Sequence, residues 1–416
     1  MATPNIVPRA DSEGGLGTSS KYWAAAYIDA ITTTGNVVIG GTLTVSAADS
    51  ITIADYVLHS GDDSKFGFPS NDNFKIRLAG NDEFTISASA AVFNTTLAAT
   101  SFNGIPFFTD TTNNSMYTHD VSGTDDSAAQ NTAYGFQALD AITTGDDNTA
   151  IGFAAGSAIT TGLYNIAIGS YAGDALVGGT KNVAIGYAAL STEDSYGKSV
   201  AIGYEALKVQ NAAADAHNVA IGHQAGKAVT TGTNNVLVGS GTGDALTEGD
   251  YNVAIGNEAG GAINTGERNV LMGYATGDSL TSGNYNVAVG HGALSSEDSH
   301  DGNTAIGYKA LNVQDAGANA YNVAVGYEAG KAVTTGYENT IVGGLAGDAI
   351  TTGIGNTAVG LKALSTDTTG RYNVAIGHGT LENQAFTGNQ EAYNTAVGYS
   401  AGNDITTGVQ NTLIGG

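Results

Sequence analysis

Few side chains in this chain carry chemistry, and their spacing suits it poorly. Of seven histidines in 416 residues, His59, His119, His217 and His300 stand in no motif. No two histidines have the spacing that places a pair of imidazoles on one metal, and no Gly-Xaa-Ser-Xaa-Gly turn offers a nucleophile. Asp174, Asp244, Asp278 and Asp348 recur in turns, where a carboxylate ordinarily satisfies backbone N–H groups. Hydrolysis of a glycan would need two such carboxylates facing each other at a cleft, which spacing does not supply. The turn carboxylates also lack the Gly-rich nonapeptide pattern of calcium-binding repeats. Cysteine is absent, so disulfides and thiolate metal sites are excluded. These residues predict no catalytic site, no cofactor and no metal ion, and hence a protein that is not an enzyme.

Composition narrows the partners further. Fourteen basic against 39 acidic side chains give a net charge of -25, which repels phosphate backbones and anionic membrane surfaces. Nucleic acid and membrane insertion are therefore not expected. The charge also opposes self-association of an edge-rich β protein. The opening residues contain no apolar signal core and no later run reaches the ~20 apolar residues of a membrane span, so synthesis in a cytoplasm without export is expected.

The elements that must position any site come from a repeat. The pentad Asn-(Val/Thr)-Ala-(Ile/Val)-Gly, and close variants of it, begin at Asn131, Asn148, Asn165, Asn182, Ser199, Asn218, Asn235, Asn252, Asn269, Asn286, Asn303, Asn322, Asn339, Asn356, Asn373, Asn394 and Asn411. Thirteen of the sixteen spacings are 17 residues; the others are 19, 19 and 21. A unit this short is no domain but one coil of a solenoid, stable only by stacking on its neighbours. A longer period lies on top: the segment from Ser199 to Asn218 returns as Asn303 to Asn322, an offset of 104 residues that marks duplication of a six-coil block. All four prolines, Pro4, Pro8, Pro69 and Pro106, precede the first coil, as continuous strand stacking requires.

Counting the Asn as place one, β-branched residues at places two and four alternate with small ones at three and five, the signature of a strand. Place five is Gly in every copy, from Gly135 to Gly415, which predicts close packing or a backbone angle closed to side chains. Places nine and twelve exclude each other in every coil but the first, which has both Leu139 and Ile142: coils with Gly156 or Gly173 carry Ile159 or Leu176, whereas coils with Leu190, Leu207, Leu294 or Leu364 carry Glu193, Gln210, Glu297 or Asp367. That exclusion predicts one cavity per coil with room for one large side chain. Thr-Thr-Gly closes many coils as a turn, with Thr stacked on the Thr of the next. Adjacent threonines point to opposite sides of a strand, which argues against an ice-binding face.

Place six is aromatic or His in eleven of the seventeen coils, including Tyr204, His223, His291, Tyr308 and His378. Such rings either stack on one another or offer a surface contact to a glycan. The longer coils carry VQNAAADAH, VQDAGANAY and NQAFTGNQEAY, which are expected to form loops on one face.

The pentads NVAIG and NTAIG with TTG turns resemble the YadA-like head repeats of trimeric autotransporter adhesins, over residues 131–416. The resemblance implies a left-handed parallel β-roll in a homotrimer, each chain presenting a small-residue face to the three-fold axis. Ala167, Gly169, Ala184, Gly186, Ala220, Gly222, Ala254 and Gly256 would form that face. The 17-residue coil is longer than the usual adhesin repeat. Upstream, IVPRADSEGGLGTSSKYWAAAYIDAITTTGNVVIGGTLTV and LHSGDDSKFGFPSNDNF resemble the start of tail-fibre and related virion proteins of marine tailed phages, over roughly residues 5–90. That implies attachment to a virion tail or baseplate protein, with Lys21, Tyr22 and Trp23 as the candidate attachment residues, Trp23 being alternatively a core anchor.

The expected organisation is an attachment arm and trimerisation seed (1–43), a small β domain (44–99), a connector (100–130) and an all-β solenoid of ~17-residue coils (131–416). The expected protein is a structural phage tail fibre, a homotrimeric rod for host adsorption or a spacer to a tip or adaptor protein. The alternatives are a bacterial trimeric adhesin head and a glycan-degrading tailspike. Because the sequence stops at place six of a coil, its distal edge is expected to be covered by another protein or to have lost a further segment.

Overall fold

The computed structural model describes the strands Tyr56–Leu58 (β1), Lys65–Gly67 (β2), Asn73–Leu78 (β3), Asn81–Ser87 (β4) and Phe108–Asp110 (β5), together with residues 113–118 and 126–416. Lys21, Tyr22, Trp23 and the Ala30–Gly40 seed lie outside the described residues. The chain divides into two units, Met1–Leu97 and Ala98–Gly416. In the first, β1 to β4 pair in sequence order as an antiparallel sheet, with a bulge between Ile76 and Arg77.

The second unit is the solenoid. From β6 (Ser115–Tyr117) and β7 (Thr132–Tyr134) to β23 (Thr412–Ile414), eighteen three-residue strands pair in parallel, one per coil. Register is strict: Val183 lies opposite Val200, which lies opposite Val219. The stack begins inside the expected connector, because β6 pairs with β7 and is itself joined antiparallel to β5.

Glycine at place five turns each strand out of the sheet, and its conformation and surroundings explain its invariance. Gly169 has φ +128°, and a Cβ on it would lie 2.6 Å from the carbonyl oxygen of Gly186 in the next coil. No L side chain meets both conditions. The backbone at places seven and nine is also left-handed, even where those residues are Ala188 (φ 50°) and Leu190 (φ 50°). Coil-to-coil hydrogen bonds fix this strained path: Tyr171 N donates to Phe153 O at 2.9 Å, and Gly173 N to Ala189 O at 2.9 Å. At the closing turn one carbonyl gathers a whole loop. Thr160 O accepts from the amides of Thr143, Thr144 and Gly145 and from the Thr143 hydroxyl, at 3.0 to 3.1 Å.

A buried spine of asparagines runs the length of the stack. Asn148 Oδ1 accepts from the Asn165 amide (3.0 Å) while its Nδ2 donates to Gly162 O (2.8 Å), and the pattern repeats coil after coil. Most of these side chains thus satisfy one amide and one turn carbonyl that no strand reaches; Ser199 takes the position in one coil, and Asn303 Nδ2 is buried without a partner.

The interior between spine and turns is narrow, and most coils fill it with one large side chain. Ile159 packs over Gly156, where an added Cβ would sit 2.9 Å from its Cδ1, and Leu176 packs over Gly173 at 2.8 Å. Leu190 and Ile159 are both fully enclosed, as the volume exchange between places nine and twelve requires. Four coils depart from the expected single large side chain: Leu139 with Ile142, Leu237 with Leu246, Leu271 with Leu280 and Ile341 with Ile350 are all enclosed. Leu237 stands where most coils have Ala and fills the space beside both Gly226 and Gly243, which carry no side chain of their own.

Candidate functional site

The alanines assigned from sequence to a trimer face point the other way. Ala167, Ala184, Ala220 and Ala254 are completely buried within the core of their own chain, so they are not available to a partner. Gly169, Gly186, Gly222 and Gly256 are half-buried and abut one another from coil to coil. The reason is the narrow coil. A three-residue strand sends its middle side chain inward, where most coils set an alanine beside the large residue supplied by place nine or twelve. The outer side chains at places two and four then face away from the core. Ile151, Ile221, Met272 and Ile376 are each 37 to 39% exposed, and place four, which is Ile, Val, Met or Tyr in every coil, forms an apolar stripe that climbs the stack; Val183, Val200 and Val219 at place two widen it, while seven coils have Thr there.

The ring ladder is formed, and the rings stack on one another. Tyr187, Tyr204 and His223 lie in successive coils with centroids 5.3 Å apart and planes within 15° of parallel. Tyr274, His291, Tyr308 and Tyr327 continue at 5.0 to 5.4 Å, and His378 meets Tyr399 at 5.2 Å. In the third coil Ser170 holds place six, and Tyr171 beside it bridges Phe153 and Tyr187. The ladder breaks at Ser240 and Asn257 and again at Gly344 and Leu361. Ring edges remain exposed along it, which leaves them open to surface contact.

The longer coils are anchored by carboxylates that lie inside. Glu193 and Glu297, at place twelve beside a buried Leu, are themselves fully enclosed. Glu193 Oε2 accepts from Gln210 Nε2 (2.9 Å), and Gln210 Oε1 from Asn218 Nδ2 (2.9 Å). The same relay runs through Glu297, Gln314 and Asn322, and through Asp367, Gln384 and Asn394. The sequence pattern showed the polar residues at place twelve but not that they are buried; all three relays precede a lengthened coil, and that coincidence was the available signal. Burial pushes the Glu193 carboxyl above its ordinary range. Lys208, Gln224 and Lys227 together hold the largely covered Glu205 carboxyl down to about 2.

Asp174, Asp244, Asp278 and Asp348 recur at one place of their coils, so they stand along one edge rather than across from one another. Burial raises the pKa of all four. His217 is exposed, while His59 and His119 lie outside the described residues.

His300 behaves differently. Its Nδ1 lies 2.6 Å from Glu297 Oε1 and 3.9 Å from Asp298 Oδ1. Asp315, from the next coil, joins them, and ligand atoms of the four residues all lie within 4.8 Å of one another. Sequence spacing missed this group because Asp315 arrives by coil stacking. The signal lay in the block duplication: SEDSH with Asp315 stands where TEDSY with Asn211 stands 104 residues earlier.

Among the described residues no helix is long and apolar enough to cross a membrane. The chain matches no protein-family model, no curated protein and no solved structure.

Proposed function

We propose that this chain is a structural subunit of a phage virion fibre: a homotrimeric rod, joined to a tail or baseplate protein through its amino-terminal region, whose solenoid serves host adsorption directly or spaces a tip protein. The observation that carries the proposal is the apolar stripe at places two and four. A side chain such as Ile255 or Val289 recurs in every coil at ~4.8 Å intervals, giving an apolar strip roughly 80 Å long. Contiguous apolar surface on that scale marks an interface. Straight, self-similar strips are best covered by further copies of themselves, and a closed ring of three leaves none uncovered. The exposed edges of the ring ladder favour contact with a host-surface glycan over a purely passive spacer.

The test is the mass of the full-length chain in solution. Light scattering is expected to give three times 41.7 kDa. A monomer would reject the rod. Labelling virions with antibody against the chain then locates the appendage, and labelling of a bacterial surface instead would favour the adhesin alternative.

A further inference from the structure

We infer that Glu297, Asp298, His300 and Asp315 bind a divalent transition-metal ion of the zinc class, tying the tenth coil to the eleventh. The site is independent of the fibre proposal.

Three observations converge. First, one imidazole and three carboxylates present ligand atoms within 4.8 Å of one another, from two coils. Zinc bonds of ~2.0–2.2 Å require ligand atoms roughly 3.3 Å apart, a closure that small side-chain rotations at the exposed Asp298 and Asp315 provide. Second, the negative charge is uncompensated. Among the described residues no Lys or Arg pairs with Glu297, Asp298 or Asp315, and the His300 ring is the sole basic group among them. Third, the duplicated block provides an internal control. There the equivalent residues are Glu193, Asp194, Tyr196 and Asn211. Two changes, fifteen residues apart in sequence, each place a ligand at the same point in space.

A simpler role for His300, as partner to the buried Glu297 through its Nδ1 and its backbone amide, accounts for those two contacts only. It leaves Asp315 unexplained, and the earlier block does without it: Glu193 Oε1 is buried with no partner. Glu297 is pre-oriented for a ligand role, since Gln314 Nε2 holds its Oε2 at 3.1 Å while Oε1 faces the imidazole. Imidazole in the set favours zinc-class ions over calcium or magnesium.

Isothermal titration of the metal-free full-length chain with Zn2+ at pH 7.5 tests this, alongside His300→Tyr and Asp315→Asn. Both variants carry residues that the equivalent coil already accommodates, so folding is preserved and is checked by circular dichroism. One site per chain is expected, weakened by about 100-fold in each variant. Tyr196→His combined with Asn211→Asp should add a second site. Equal zinc uptake by parent and His300→Tyr chains, no uptake by either, or equal affinity for Ca2+ would overturn the proposal.

Discussion

Asn269 illustrates how much one residue carries in a stack of this kind. Its Oδ1 accepts from the Asn286 amide at 2.9 Å and its Nδ2 donates to Gly283 O at 2.8 Å, both in the interior. Replacement by Ala leaves two buried backbone groups without partners, and the expected cost is about 2–4 kcal/mol. Hydrogen exchange should localise the loss, with the Asn286 amide exchanging faster while amides several coils away keep their protection. Titrating residues give a second test. The carboxyl of Glu193 is raised by burial, so its contribution to stability is present below its unfolded value of 4.5 and is lost as pH rises through the folded value. Glu205, depressed to about 2, does the opposite: its contribution is present above 4.5 and disappears as pH falls toward 2. Chemical denaturation at pH 3, 5 and 8 should show Glu193→Gln gaining relative to the parent at pH 8, and Glu205→Gln less stable than the parent at pH 8 with that deficit shrinking at pH 3. At this scale the place-five glycines were legible because their type is invariant. The asparagines were just as regular, yet their role stayed hidden, since a spine of side chain to backbone bonds leaves no trace in polarity or periodicity.

Within a coil, volume is shared among places three, nine and twelve, and it passes between neighbouring coils. A Cβ on Gly243 would meet Leu237 Cδ2 at 3.0 Å, with the next two nearest atoms also in Leu237. Gly243→Leu is therefore expected to destabilise by about 1–3 kcal/mol through overpacking. Adding Leu237→Ala should recover part of that loss, and a double-mutant cycle by thermal denaturation measures the coupling. The left-handed angle at Gly243 does not forbid Leu, because Leu190 and Leu207 already adopt it. The exchange between places nine and twelve could be read from sequence because it is a correlation between residue sizes. Which strand face is inside could not be read that way. Alternation separates Val and Ile from Ala without saying which set is enclosed, and the wider side chains are outermost here because the coil is too narrow to hold them.

For the whole molecule, the same inversion moves the proposed contact between copies from the alanines to the β-branched stripe. Charges introduced there should separate the copies without unfolding any of them, since Ile202 and Ile255 point away from the core. Ile202→Lys with Ile255→Lys is expected to reduce the mass in solution from three chains to one while the circular dichroism spectrum is kept. An unchanged mass would place the interface on another face. The amino-terminal resemblance and the attachment residues Lys21, Tyr22 and Trp23 belong to this scale too, and they rest on sequence alone.

The strict register of the strands also bears on how such a protein acquires its size. Because every coil offers its neighbour the same set of donors and acceptors, a block of six can be copied and joined at its own seam with each bond finding an equivalent partner. Reach thus becomes a countable quantity, extended or shortened by roughly 29 Å per block, while the chemistry at either end is left as it was.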